Sequence, residues 1–381
     1  MVNLKDIRTS NRALQSVPPG LVAVFVGATA GISLATLKQF AKNVNGPRAY
    51  IIGRSNEKGS HIIAELKTIN SMGTYVFIEG QVSLIKEVDR ICEEIKKFES
   101  HIDILCMSPG YLSLGGRHVP DTTEGIETDL ALQFYSRQRI LINLLPLLEV
   151  SNSPRIISIL GAGFEGTISP SDLECRQHYN FVRASQAAAT MTDLMFEELA
   201  KQHPSVSFIH VNPGGVGTHL MDHLLASTPG LLWYLAQIPR YTIVPIYTHF
   251  LSTSPDVAGE RILFLATSCR YPPAVNHEKK GHIDGFVERP AGIAAAKPTV
   301  MKEGKGNGVY RIDWNCETCK ESKILDKYRQ EGLGKPVFEH VTAVFERAVK
   351  TAGGGNEMIQ KENSCTRFMV DRNSLEFDVE L

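Results

Sequence analysis

No stretch of this 381-residue sequence runs apolar without a break for the roughly 18 residues that a spanning helix requires, so no membrane span is predicted. The opening MVNLKDIRTSNRALQSVPPG also lacks the apolar centre of a secretory signal. An excess of either charge is missing as well: 40 Lys and Arg stand against 41 Asp and Glu, which leaves no net field to gather nucleic acid or an anionic lipid surface. Basic and aromatic residues do not cluster as a nucleic-acid surface requires. A disulfide framework is lacking too. The seven cysteines, at 92, 106, 175, 269, 316, 319 and 365, are odd in number and scattered, which suits free thiols in a reducing, cytoplasmic setting. No internal repeat is found.

What is present is 43% hydrophobic and 21% charged, the composition of a globular protein whose partner is a small molecule; pairing into a homo-oligomer stays open. After the polar segment 1–20, the apolar run 21-LVAVFV-26 ends at a glycine and predicts a buried strand. Strands are then expected at 48–53, 74–79, 102–107, 155–160 and 206–211, separated by helices near 32–44, 57–71, 84–99, 123–148 and up to 202. Strands alternating with helices must pair in parallel through right-handed crossovers. The expected fold is therefore α/β: a Rossmann-type doubly wound parallel sheet with helices on both faces. Ligands of such a sheet bind beyond the carboxyl ends of its strands, at the switch in strand order.

Four further segments follow. Residues 217–251, rich in Leu and Tyr and broken by prolines, read as a mainly helical lid, with a core or subunit-contact helix pair and a membrane-surface segment as alternatives. A helix follows from Pro255 to about Thr267, then a late strand at 308-GVYRIDW-314, so that one domain spans 21–350. The glycine-led stretch 351–381 is aperiodic and predicts a disordered tail.

Strand 21–26 runs into 27-GATAGIS-33 and a helix. Gly27 permits the tight turn, Thr29 and Ile32 flank it, and Gly31 lets backbone approach a pyrophosphate at the positive end of the helix dipole. Ser33 replaces the third glycine of the usual pattern. The second strand ends in Gly53-Arg54-Ser55, where an acidic residue would take a ribose 2′-hydroxyl; a guanidinium there suits a 2′-phosphate instead, which favours NADP(H) over NAD.

Over residues 20 to 270 the chain resembles the short-chain dehydrogenase/reductase superfamily, through 27-GATAGIS-33, 103-DILCMSPG-110, 155-RIISIL-160 and 212-NPGGVGT-218. The resemblance implies that Ser108, Pro213, Gly214 and Thr218 lie near the nicotinamide and that Gly110 also binds the cofactor. MSPG, 201-KQHPSVSFIHVNPGGVGT-218 and the late GVYRID are similar to a divergent branch common in filamentous fungi, many of whose members serve secondary metabolism.

The family's catalytic set is altered. Its Ser position falls at Gly161 and its Asn position at Gln133; its Tyr and Lys positions fall at Val182 and Gln186, or at Phe181 and Ser185 one residue earlier. Between Ser151 and Gly215 the only tyrosine is Tyr179 and the only lysine is Lys201, so no Tyr-x-x-x-Lys exists there. Tyr179 and Arg183 could form a displaced pair if a helix sets them on one face, although a shift of one turn, about 5 Å, carries the phenol away from the hydride-accepting carbon. Three functions are compatible: an NADP(H)-dependent reductase of an apolar metabolite that takes its proton from Ser158, His178, Tyr179, His210 or His219; a non-redox cyclase or isomerase; or a binding protein without turnover. Cys316-Glu-Thr-Cys319 stands alone without a second ligand pair, so no metal is predicted.

Overall fold

The apolar run after Gly20 forms strand β1 (Val22–Val26), buried throughout, and the alternation that follows builds the parallel units expected of it. In the computed structural model the described residues are 2–110, 121–177, 179–216, 252–275 and 286–351. The expected lid 217–251 with Thr218 and His219, His178, and the expected tail from 352 onward lie outside them.

Helix α2 (Gly31–Asn43) leads to β2 (Arg48–Gly53), α3 (Asn56–Ile69) to β3 (Thr74–Glu79), and α4 (Ile85–Phe98) to β4 (Ile104–Met107). Next come a single helical turn α5 (Thr128–Leu130), a π-helical turn Ala131–Tyr135, α6 (Ser136–Leu148) and β5 (Arg155–Ile159). The long α7 (Phe181–Gln202) precedes β6 (Ser207–Val211), and α8 (Pro255–Thr267) lies beyond it. A small hairpin, β7 (Met301–Lys302) and β8 (Lys305–Gly306), precedes β9 (Val309–Ile312).

Seven strands form one sheet in the order β3-β2-β1-β4-β5-β6-β9, and every adjacent pair is parallel. The chain builds outward from β1 on one side, then returns to add β4 on the other. The β1–β4 boundary is thus the switch point, where a crevice opens at the carboxyl ends.

Alternation along each strand divides the core in two. Val22, Val24, Leu105, Met107, Ile156 and Phe208 pack under α4, α6 and α7; Ala23, Phe25, Cys106, Ile157 and Ile209 pack under α2, α3 and α8. Ile85, Val88, Ile91, Cys92 and Ile95 of α4 fall on one helical face, so its charged residues are left to solvent.

Two parts went unread in the sequence. The polar opening segment contains helix α1 (Leu4–Ala13), capped by Asn3, which buries Ile7 and ties Asn11 and Arg8 to Glu260 of α8. After β9, α9 (Lys323–Gln330) and a helix over 334–351 bury Leu325, Tyr328, Val337, Val341, Val344 and Phe345 in the α6–α7 core.

Candidate active site

The crevice begins at Gly27, whose φ of +78° is unfavourable for any residue with a side chain. A Cβ there would also stand 2.9 Å from the Pro109 nitrogen, so the turn after β1 lies directly against the turn after β4. At the start of α2, Ala30 is the cap residue and offers no side chain to the first-turn N–H groups. Those donors, together with Gly31 at φ +62°, form a cradle for an anion. The residues fit a dinucleotide diphosphate.

Thr29 lies over the end of β2: a Cβ on Gly53 would come within 2.4 Å of its methyl. The next residue, Arg54, is exposed and has no hydrogen-bond or ion-pair partner among the described residues, while Ser55 caps α3 by accepting from Lys58 N. The guanidinium is therefore exposed, without a partner among the described residues, at the carboxyl end of β2.

The far wall of the crevice is the Ser108–Gly110 turn. Ser108 continues the β1 ladder through its N–H to Val26 O at 3.0 Å, Pro109 is buried and Gly110 is exposed. Beneath it lies Arg137 of α6, 2% exposed. Its guanidinium donates to Leu132 O (3.2 Å), Met107 O (3.3 Å), Ile159 O (2.8 Å), Pro109 O (2.6 Å) and Ser158 Oγ (2.9 Å). It clamps the ends of β4 and β5 together, and burial lowers its pKa to about 9. Neither Arg137 nor its clamp was anticipated. The signal was a cation, Arg137, at the start of the largely apolar stretch 136-SRQRILINLLPLL-148, beside a second one, Arg139, that pairs with Asp89.

Ser158, a sequence candidate for proton donation, is fully buried, and its hydroxyl is engaged by Arg137. In register beside it across the sheet lie His210 and Arg311. His210, another candidate, is also fully buried: its Nδ1 meets Asp193 at 2.7 Å and its Nε2 accepts from Gly161 N at 3.3 Å. Burial above all, with Arg311 and Arg137 nearby, lowers its pKa to about 3. The imidazole is neutral, with its acceptor nitrogen already taken.

Asp193, Glu165 and His210 bring their ligand atoms within 4.8 Å of one another, but a cation already serves them. Arg311 binds both Glu165 oxygens (2.8 and 2.5 Å) and lies 3.4 Å from Asp193. Burial raises Asp193 to about 7. Cys316 and Cys319 are likewise raised by burial to about 12, so neither thiol ionises near neutrality.

At the start of α7, Asn180 is the cap and accepts from Val182 N and Arg183 N. Tyr179 therefore precedes the helix, and the i to i+4 face expected for Tyr179 and Arg183 does not form. The Tyr179 hydroxyl donates to the Asp129 carboxylate of α5. Arg183 donates to Gln177 O at 3.3 Å and lies 3.9 Å from Asp172. Gln133 is buried in the π-helical turn. Val182 is 60% exposed, Phe164 on the turn after β5 is 61% exposed, and Gln186 packs against Gly166.

Opposite, Gly214 (φ +68°) turns the chain after β6 beside Pro213, and a Cβ on it would fall 2.8 Å from the Cβ of Trp314. Trp314 stacks on Arg261 at 4.9 Å.

The profile of the family described as short chain dehydrogenase matches residues 21–228. The oxidoreductase AN1596 of Emericella nidulans is 38% identical over 349 residues, covering 92% of this chain and 99% of that protein. The oxidoreductase lepF of Aspergillus flavus is 32% identical over 382 residues, covering 94% of this chain and 100% of the relative. The short-chain dehydrogenase/reductase SAT2 of Stachybotrys chartarum is 26% identical over 379 residues, with coverage of 92% and 98%.

Proposed function

The chain belongs to the short chain dehydrogenase family, and on that premise we propose that it is an NADP(H)-dependent oxidoreductase of an apolar small molecule. The observation that carries the cofactor reading is Arg54: an exposed, uncommitted guanidinium at the end of β2, beside the glycine turn. A 2′-phosphate would give it charge-assisted hydrogen bonds. The first turn of α2 would hold the diphosphate, Ser108–Gly110 and Pro213–Gly214 would flank the nicotinamide half, and the dinucleotide would supply the hydride chemistry.

Apolar character in the substrate follows from Phe164, Val182 and Trp314, large side chains left exposed on three segments around the crevice. Its origin in fungal secondary metabolism fits the fungal relatives. The chain's own contribution is to hold both reactants and exclude water; losing a general acid costs about 10² to 10⁴ in rate and leaves proximity intact.

One observation favours a second reading, a non-redox cyclase or isomerase: the family's Ser, Tyr and Lys positions carry Gly161, Val182 and Gln186, and the polar alternatives Ser158 and His210 are sealed in the core. Incubation with NADPH deuterated at the nicotinamide C4 and apolar carbonyl compounds separates the two. Deuterium in the product is expected. Conversion without label would install the second reading, failure to bind NADPH would remove the first, and neither conversion nor NADPH binding would remove both.

A further inference from the structure

We infer that Arg137 biases this site toward the reduced dinucleotide, because it fixes an uncompensated positive charge directly under the turn Ser108–Gly110. The inference rests on the dinucleotide reading given above. In the oxidised cofactor the nicotinamide ring is itself cationic; in the reduced cofactor it is neutral. A fixed cation beneath it repels the first and is indifferent to the second.

Three observations carry this. All the guanidinium contacts are to backbone carbonyls and one hydroxyl, so the group is locked and cannot turn toward a ligand. It forms no ion pair with any described carboxylate, and the carbonyl dipoles that stabilise it leave its net charge in place. Only a thickness of backbone separates it from the crevice: a Cβ on the exposed Gly110 would lie 3.9 Å from Nη2. The guanidinium itself is buried away from water, so its charge is poorly screened.

A leucine or methionine would fill the space between β4 and β5 but would leave the carbonyls of Met107, Pro109 and Ile159 without this donor. Arg137 is therefore a positioning residue in two senses: it sets the shape of the turn and the potential above it. Its role differs from that of a group that touches the reacting atoms.

The test is the ratio of affinities for NADPH and NADP⁺, measured by titration calorimetry on the wild type, Arg137→Lys and Arg137→Gln, with adenosine 2′,5′-bisphosphate as a ligand that lacks the nicotinamide. The wild type should prefer NADPH by at least about tenfold, since like unit charges within about 10 Å of each other repel by about 1.4 kcal/mol or more at an effective dielectric of about 20. Arg137→Lys should keep that preference. Arg137→Gln should lose it while binding the bisphosphate as the wild type does.

A glutamine variant that binds both forms more weakly by the same factor would show a structural clamp and overturn the inference. The wild type alone is decisive if the variant does not fold: equal affinity for the two forms, or preference for NADP⁺, overturns the inference and leaves the cofactor reading intact. Wild-type protein that binds neither form nor the bisphosphate would instead overturn the cofactor reading and this inference together.

Discussion

His210 Nδ1 lies 2.7 Å from the Asp193 carboxylate, with both side chains shut off from solvent. Burial acts on the two in opposite senses. For His210 the folded value, about 3, is below its unfolded value near 6.5, so its neutral form favours folding at higher pH and that contribution is lost as pH falls from 6.5 toward 3. For Asp193 the folded value, about 7, is above the unfolded one, so its contribution is full below about pH 4 and is lost as pH rises toward 7. Between roughly pH 4 and 6.5 the two slopes cancel.

His210→Asn should remove one slope and keep the other. The stability gap between variant and wild type would widen with rising pH across that window, by up to about 1.4 kcal/mol per pH unit. Urea denaturation at stepped pH reads it; a constant gap would mean that His210 titrates normally in the folded protein.

Tyr179→Phe addresses the phenol. Its single proton is committed to Asp129, which is 2% exposed, so removing the hydroxyl strands a buried carboxylate and should cost about 1 to 3 kcal/mol of stability. Turnover at a temperature where the variant is folded should stay within about threefold. A loss of about 10² or more would make Tyr179 the proton donor after all.

Arg54→Ala should weaken NADPH binding by about 10- to 100-fold, the worth of one or two charge-assisted hydrogen bonds, and leave NADH binding as it was. Equal weakening of both nucleotides would place the 2′-phosphate elsewhere.

Gly27→Ala combines a strained φ of +78° with a Cβ at 2.9 Å from the Pro109 nitrogen. Backbone must move, since the nearest atoms all belong to the Ser108–Pro109 backbone rather than to a flexible side-chain tip. Dinucleotide affinity should drop at least about tenfold, by calorimetry, with a small fall in Tm. Unchanged affinity would mean that the cradle does not form the binding site.

Much of the fold was legible because the strands are short apolar runs ended by glycine or polar residues, and because a parallel sheet buried on both faces leaves little ambiguity in such a pattern. The helix Leu4–Ala13 was missed for the converse reason: only Ile7, Ser10 and Asn11 are buried, too few to stand out in a polar segment. The helix over 334–351 did carry a readable signal in Val337, Val341, Val344, Phe345 and Ala348, spaced for one face.

The candidate site was legible where it depends on backbone, as at Gly27, Gly31 and Gly214, whose positive φ angles the sequence pattern anticipates. It was not legible where it depends on side chains brought together across strands. Ser158, His210 and Arg311 lie far apart in the chain and meet only through strand register. Ser158 and His210 were read individually as proton donors, and Arg311 could have been flagged as a polar residue inside an apolar run, since such a residue must find a partner. Which partner it finds is a property of the tertiary pairing.

Strand β9 enters the sheet beside β6 from about a hundred residues further along the chain, and it brings Arg311 with it. Until that strand arrives, Glu165 and Asp193 face each other as two carboxyl groups with no guanidinium between them. The neutralisation of this buried pair therefore depends on the pairing of β9 with β6.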